Sequence, residues 1–411
     1  LLLEHATVER FYAFENRKKV FPIDSRYKFV SLVFRKGQPE SDGFDAAFMR
    51  HELTELEATA RYREPGHKNS QPIAVPWIVP VRRRELERLS PGTLTFLEYR
   101  SPRDREIVLK MYGYDADGNP LNPRPLLGDH GPGTWNARFY TEFHMTNDKD
   151  LWTEPKTGKL FNPRQILGPV LGTKSEPPYY DPAAWPEIRE RMAEAGFWPL
   201  YEGKHIEQFL VDIKPIERWV SLEACEKKYG KLPDAHPKPV FRDIASNTNE
   251  RTCIAAVLPE RSCANNKLPV LAVSADFAER ACTVLNSFAF DFAMRLRVSS
   301  TLNFTHMSRA VVPSFDIAQS LPPIRTLSVA GTGIDHISTL EKYWSTLWEA
   351  NRAIANAYGL LPDDMAYILR TFSVFARKRP KFYDYLVNQI QHWNEQITTR
   401  DHMYPMSATA G

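Results

Sequence analysis

The feature that most constrains what this chain can fold into is the stretch 239–259, PVFRDIASNTNERTCIAAVLP. Its flanks, FRDIA and TCIAAVL, are short apolar runs that read as strands, and they act as scaffold. The insert between them, Ser246, Asn247, Thr248, Asn249, Glu250 and Arg251, is wholly polar. Further on, LNSFAFDFAMRLRV at 285–298 reads as an amphipathic helix. Leu285, Phe288, Phe292 and Arg295 fall along one stripe, and Phe290 and Met294 along the next. Strand, polar insert, strand and helix in that order suit a rigid scaffold under a polar reading surface rather than an apolar substrate pocket.

At 411 residues the chain is long enough for two or three domains. Hydrophobic residues make up 43% and charged residues 25%, ordinary values for a globular protein with a large core. The net charge of +3, from 53 basic and 50 acidic residues, permits a nucleic-acid partner where basic groups cluster on one face but does not demand one. The 32 prolines exceed the 19 glycines, which predicts rigid loops and short elements. Cys225, Cys253, Cys263 and Cys282 lack the close spacing of a zinc knuckle or a redox pair, and read as reduced, buried thiols of a cytoplasmic protein. The histidines form no His-x-x-x-His or His-x-x-Cys pair, so no metal site is expected. No apolar run approaches the roughly 18 residues of a membrane span, so no membrane partner is expected. LLLEHATVERFYAF lacks a basic leader and a cleavage site. The first residue is not Met, which reads as a start internal to a longer protein, a processed N-terminus being the alternative.

Residues 11–35 read as two strands, FYAFEN with VFPID after a charged turn, then RYKFVSLVFRKG. In the latter, Lys28, Val30, Leu32 and Phe34 make a nearly apolar face, which predicts burial on both sides. Two strands cannot form a domain, so they must complete a sheet whose remainder lies upstream. Residues 44–60 and 81–89 read as helices, and Ser101 with Asp104 opens another over REIVLKMYG. Residues 114–135 and 153–186 read as loops rich in Gly and Pro, followed by the helix WPEIRERMAEAG. Short strands alternate with polar connections from 197 to about 320, and 336–398 is helical.

FENRKKVFPIDSRYKFVSLVFRKG resembles the closing strands of the catalytic domain in large adenine-specific DNA methyltransferases. These include type IIG restriction–modification enzymes and the methyltransferases of the BREX and DISARM phage-defence systems. The resemblance recurs in order at EFHMTND (142–148), PLYEGKHIEQF (199–209), FRDIASNTNERTCIAAVLP (241–259), LNSFAFDFAMRLRVSSTLN (285–303) and AIANAYGLLPDDMAYILRTF (353–372). It implies a mixed α/β chain in four parts. These are the C-terminal edge of a Rossmann-like catalytic domain (1–60), a connecting region (61–196), a strand-rich target-recognition domain (197–325) and a helical region (326–411). It also implies double-stranded DNA as partner, an upstream catalytic domain, and S-adenosylmethionine as cofactor of the parent enzyme. The family's Gly-rich cofactor loop and Asn-Pro-Pro-Tyr motif are missing. GDHGPGTW at 128–135 and AGTG at 330–333 do not sit between a strand and a helix, and SEPPYYDP at 175–182 has Glu176 where Asn or Asp should stand. No catalytic residue and no cofactor are therefore expected in this segment.

The recognition candidates are Arg242, Asn247, Thr248, Asn249 and Arg251, because Arg and Asn are suited to reading guanine and adenine edges. A hairpin loop whose Asn and Thr side chains bond their own backbone fits the same residues. Arg295 and Arg297 emerge at the helix end before Ser299, Ser300, Thr301, Leu302 and Asn303, and with Asn303 form the candidates for phosphate contact. Lys204 in YEGK either meets a phosphate or pairs with Glu202. A nuclease reading of Glu202-Gly203-Lys204 requires a second carboxylate on an adjacent strand; Asp181 lies upstream, but in a proline-rich loop. Asn147 and Asp148 either cap a connection between domains or line a cofactor or base pocket. The alternative function is a protein-interaction subunit of a bacterial defence complex, docking through Trp344, Trp348, Tyr358, Tyr367, Tyr383 and Trp393 of the helical tail.

Overall fold

A computed structural model describes residues 2–403 except 26, 39–41, 53, 56–76, 93, 154–181, 247, 299, 331 and 333–340. Asn247, Glu176, Asp181 and part of AGTG thus lie outside the described residues. The chain is mixed α/β, with several small sheets and a helical C-terminal region. It divides into two compact units, Leu1–Arg124 and Pro125–Gly411. The expected boundaries at 196 and 325 fall inside the second unit.

The first unit holds a four-stranded sheet in the order β2-β1-β3-β4. β1 (Ala6–Glu15) pairs antiparallel with β2 (Lys28–Lys36) and parallel with β3 (Gly43–Arg50); β4 (Ile78–Arg82) runs antiparallel to β3. Asn16, fully buried, shapes the β1–β2 connection: its Nδ2 donates to the Phe21 and Ile23 carbonyls at 3.0 and 3.2 Å, and its Oδ1 accepts from the Phe21 amide.

The structure corrects two expectations in this unit. The helix expected over 44–60 is a strand from Gly43 to Arg50, and 56–60 lie outside the described residues. Phe44 and Phe48 pack on Phe11 of β1, with ring centroids 5.9 and 5.6 Å apart, so the ladder with β1 overrides the helix propensity of FDAAFMR. β2, expected to be buried on both sides, is the edge strand, and every residue from Val30 to Lys36 is exposed. The helices α1 (Arg83–Leu89) and α2 (Pro102–Tyr112) follow. Ser101 and Asp104 form the expected capping box, and Gly113 ends α2 at φ 83°, a left-handed conformation that costs glycine little.

The second unit is built from short elements. They run β5 (Arg138–Tyr140), β6 (Trp152–Thr153), α3 (Trp185–Glu194), β7 (Phe197–Tyr201), β8 (Ile206–Glu207), β9 (Leu210–Val211), β10 (Trp219–Ser221) and α4 (Leu222–Tyr229). β11 (Lys238–Phe241), β12 (Ala255–Leu258), β13 (Cys263–Ala264), β14 (Val270–Ala272), α5 (Ala278–Leu285) and α6 (Phe288–Arg295) come next. After α7 (Phe304–Ser308), α8 (Phe315–Ser320) and β15 (Leu327–Ser328), the tail is helical: α9 (Trp344–Ala357), α10 (Pro362–Arg370), α11 (Ser373–Lys378) and α12 (Pro380–Met403).

Three sheets arise, in the orders β13-β7-β10-β6, β12-β11-β14-β5 and β15-β9-β8. β11 and β12 pair antiparallel with Phe241 opposite Ala255; of the expected strand FRDIA only Phe241 belongs to β11, and of TCIAAVL only Ala255–Leu258 form β12, so the connection is longer than the polar insert. Their inward faces join a core containing Trp185, Ile188, Tyr201, Trp219, Val240, Ala256 and Val270. Each fully buried large apolar side chain there stabilises the fold by roughly 1.5–3 kcal/mol. All four cysteines are buried in their reduced form, and burial pushes the Cys253 and Cys263 thiols well up, as expected of core residues.

Candidate nucleic-acid interface

The hairpin insert is fixed from below by a charged keystone. α6, read as amphipathic, is buried on every side, and Asp291 sits in its first turn with no exposure. A carboxylate in that position is stable only with strong donors. Arg251 supplies one: its Nε donates to Asp291 Oδ2 at 2.6 Å, and its other nitrogens donate to Gln208 Oε1 at 3.0 Å and the Asn286 carbonyl at 2.6 Å. The amides of Thr252 and Cys253 donate to Asp291 Oδ1 at 3.0 and 3.3 Å. Arg295, one helical turn on, donates to the carbonyls of Asn249 and Glu250 at 2.7 and 2.8 Å and lies 3.9 Å above the Phe372 ring. Arg251 lies 4.2 Å above the Phe288 ring.

The structure therefore places Arg251 and Arg295, two of the candidate DNA contacts, beneath the insert as anchors, 6% and 7% exposed. Arg251 closes a polar run and Arg295 stands shortly before one, but the lone acid in FAFDFAMR draws both inward. That acid in an apolar helix was the available signal for the keystone. Arg242 is also turned inward, half-buried, donating to the Ile206 carbonyl and standing 3.4 Å from Glu207. Lys204 pairs with Glu217 at 3.1 Å and Glu202 at 3.6 Å, while Arg218 also meets Glu202, so YEGK follows the surface-pairing reading. Among the described residues no group of three or more His, Cys, Asp or Glu could hold a metal, and Asp181, the carboxylate a nuclease site at Glu202 called for, lies outside them.

The exposed part of the insert partly bonds itself. Ser246 Oγ meets Thr248 Oγ1 at 2.8 Å and accepts from the Thr248 amide, and the Asn249 amide donates to the Ser246 carbonyl. The outward side chains of Thr248 and Asn249 remain exposed. Beside them runs a second loop, which the sequence reading linked to helix-end phosphate contact only. Ile244 and Thr301 form an antiparallel bridge. The Leu302 amide donates to the Asp243 carbonyl at 2.7 Å and the Ala245 amide to the Ser300 carbonyl at 3.1 Å. The two loops thus make one short ribbon.

The ribbon's surface is polar with apolar points. Ser300, Thr301, Asn303 and Thr305 are exposed, Ile244 is 65% exposed, and Phe304 stacks on Phe139 at 5.9 Å while staying 37% exposed. Asn303 caps α7, accepting from the His306 amide at 2.9 Å. The His306 ring meets the Thr301 carbonyl at 3.0 Å. Its pKa is lowered by burial and further by Arg297 and Arg309, which places positive charge from both arginines around the base of the ribbon. Lys267 pairs with Asp243 at 2.9 Å on the same side.

EFHMTND lies elsewhere in the unit. Asp148, 5% exposed, accepts from the His144 amide at 2.7 Å, from Lys228 at 3.1 Å and from the Tyr229 hydroxyl, while Asn147 is exposed. Asp148 closes its own turn onto α4 and borders a cavity of about 870 Å³ lined by Tyr140, Glu142, Phe143 and Tyr229 among others. Glu142 there is paired with Lys238 at 2.8 Å, and its pKa is raised by burial.

No family model matches the chain, and no curated protein matches it. Among solved structures it is similar to the type IIL restriction–modification enzyme MmeI in complex with DNA, at TM-score 0.38 and 9% identity, over 91% of this chain and 46% of that one. It is also similar to the type IIG restriction endonuclease BpuSI, at TM-score 0.33 and 10% identity, over 87% of this chain and 44% of that one. The chain spans less than half the length of either enzyme, and backbone likeness at these scores is too loose to bear on function.

Proposed function

We propose that the chain is the DNA-recognition part of an adenine-specific, S-adenosylmethionine-dependent DNA methyltransferase of a restriction–modification or phage-defence system. The observation that carries this reading is the rigid polar ribbon of residues 243–246, 248–249 and 300–306. Its exposed hydroxyl and amide side chains stand on a backbone locked by the Arg251–Asp291–Arg295 keystone. Side chains read base edges only when their backbone holds register, and positive groups near the base supply sequence-independent phosphate attraction. The ordered blocks of sequence resemblance support the same assignment. In this reading the segment grips and positions the duplex, while methyl donor, catalytic loop and adenine pocket belong to an upstream catalytic domain.

The first unit supports that partner. β2 exposes Val30, Leu32, Val33 and Phe34, between 37% and 51% each, and Phe21, Ile23 and Tyr27 extend the patch. The nine-residue edge strand carries five apolar residues, Phe29, Val30, Leu32, Val33 and Phe34, and exposed apolar side chains on an edge favour a covering partner.

The helical tail lends little to the protein-interaction alternative. Trp348, Tyr358 and Trp393 are buried, Trp348 packs on Trp393 at 6.1 Å, and Trp344 stacks on Phe382 at 5.1 Å. Trp348, Tyr358 and Trp393 are committed to the core, while Trp344, Tyr367 and Tyr383 are half-buried.

A titration against mixed-sequence duplex DNA at 50 and 200 mM salt tests the proposal. Binding that weakens by tenfold or more between the two is expected, because phosphate contacts release counterions. Absent or salt-independent binding contradicts it.

A further inference from the structure

We infer that Ile244 reads the 5-methyl group of a thymine in the DNA major groove, which makes it a specificity residue of the chain; this rests on the DNA-recognition reading. Ile244 is 65% exposed in a surface of Thr, Ser and Asn, and the loop around it is not loose. It forms a non-hydrogen-bonded antiparallel pair with Thr301, because the bonds run from Ala245 to Ser300 and from Leu302 to Asp243 on either side. In such a pair the two Cα atoms stand about 4.5 Å apart and both side chains leave the same face. Ile244 and the Thr301 methyl therefore form one small apolar spot with fixed backbone on both flanks.

The width of the support selects the groove. Two paired strands with their side chains fit the undistorted major groove, about 12 Å wide, whereas the minor groove, about 6 Å wide, takes such a ribbon only when the duplex is deformed. The one apolar feature a base pair shows in the major groove is the thymine methyl. A β-branched side chain on a fixed backbone has few rotamers to lose on contact, which favours such a reader. The neighbouring Thr301, Asn303 and Thr248 present polar groups to adjacent base edges. A flexible apolar anchor inserted between base pairs would need a narrower, protruding support.

The test uses the whole 411-residue chain and a randomised duplex pool. Sequences enriched by the wild-type protein are compared with those enriched by Ile244→Ala and by the conservative Ile244→Val. The inference expects thymine preference at one position for the wild type and the Ile244→Val protein, and its loss with Ile244→Ala. The enriched duplex is then remade with deoxyuridine at that position. Wild-type affinity should fall about fourfold, the worth of one buried methyl, while the Ile244→Ala protein should bind both duplexes alike. Wild-type protein indifferent to deoxyuridine at every thymine, yet still bound to DNA, overturns the role of Ile244 alone. Protein that enriches no duplex overturns the DNA reading and this inference together.

Discussion

At the scale of single residues, arginine is the side chain whose role the sequence conceals most. Arg242, Arg251, Arg295 and Arg297 all sit beside polar runs, yet Arg251 and Arg295 are spent on Asp291 and on backbone carbonyls. Breaking a buried pair strands the remaining charge, at a cost of roughly 3–5 kcal/mol. Arg251→Ala should lower stability by about that amount in urea unfolding, and a loss below about 1 kcal/mol would contradict the keystone. Arg242→Ala and Arg251→Ala therefore report on folding before they report on DNA. His205 offers a second residue-scale prediction. It is fully buried, accepts from the Glu202 amide at 2.9 Å, and its pKa is lowered to about 3, first by burial and then by Lys204 and Arg218. Its folded pKa lies below its unfolded value near 6.5, so the unfolded chain takes up the proton first. Stability is fully present above about pH 6.5 and falls by up to about 1.4 kcal/mol per pH unit as the pH drops towards about 3. His205→Gln should flatten that slope between about pH 6.5 and 4.5 in pH-dependent unfolding; an unchanged slope would exclude the group.

At the scale of elements, the legible parts were those with local chemistry. The capping box of α2, the hairpin of β11 and β12, the helix Trp185–Glu194 and the tail helices all follow from nearby residues. What failed depended on distant partners. FDAAFMR has helix-forming residues, but a parallel neighbour far back in the chain makes it β3. The apolar alternation of β2 marked a strand, but the burial it suggested on both sides is absent: β2 is the edge of its sheet and Val30–Lys36 are exposed. An edge of this kind drives self-association. Leu32→Lys with Phe34→Lys should reduce association measured by light scattering while circular dichroism stays unchanged. Unaltered association would mean that β2 is not the adhesive surface.

At the scale of the whole molecule, the candidate interface was half legible. Thr248, Asn249 and Asn303 were nameable from composition, because polar turn formers mark exposed loops. Ile244, Phe304 and His306 were not, because only the bridge between Ile244 and Thr301 brings the two loops side by side. The described residues hold no helix long and apolar enough to cross a membrane. The central claim is that this ribbon meets a DNA backbone and its base edges. Placing negative charge there, with Thr301→Glu and Thr305→Glu at two exposed positions, leaves the core untouched. Equilibrium binding of that variant to duplex DNA at about 100 mM salt is the most direct measurement. At least a tenfold loss of affinity with unchanged unfolding is expected, and affinity equal to wild type would show that the ribbon does not meet DNA.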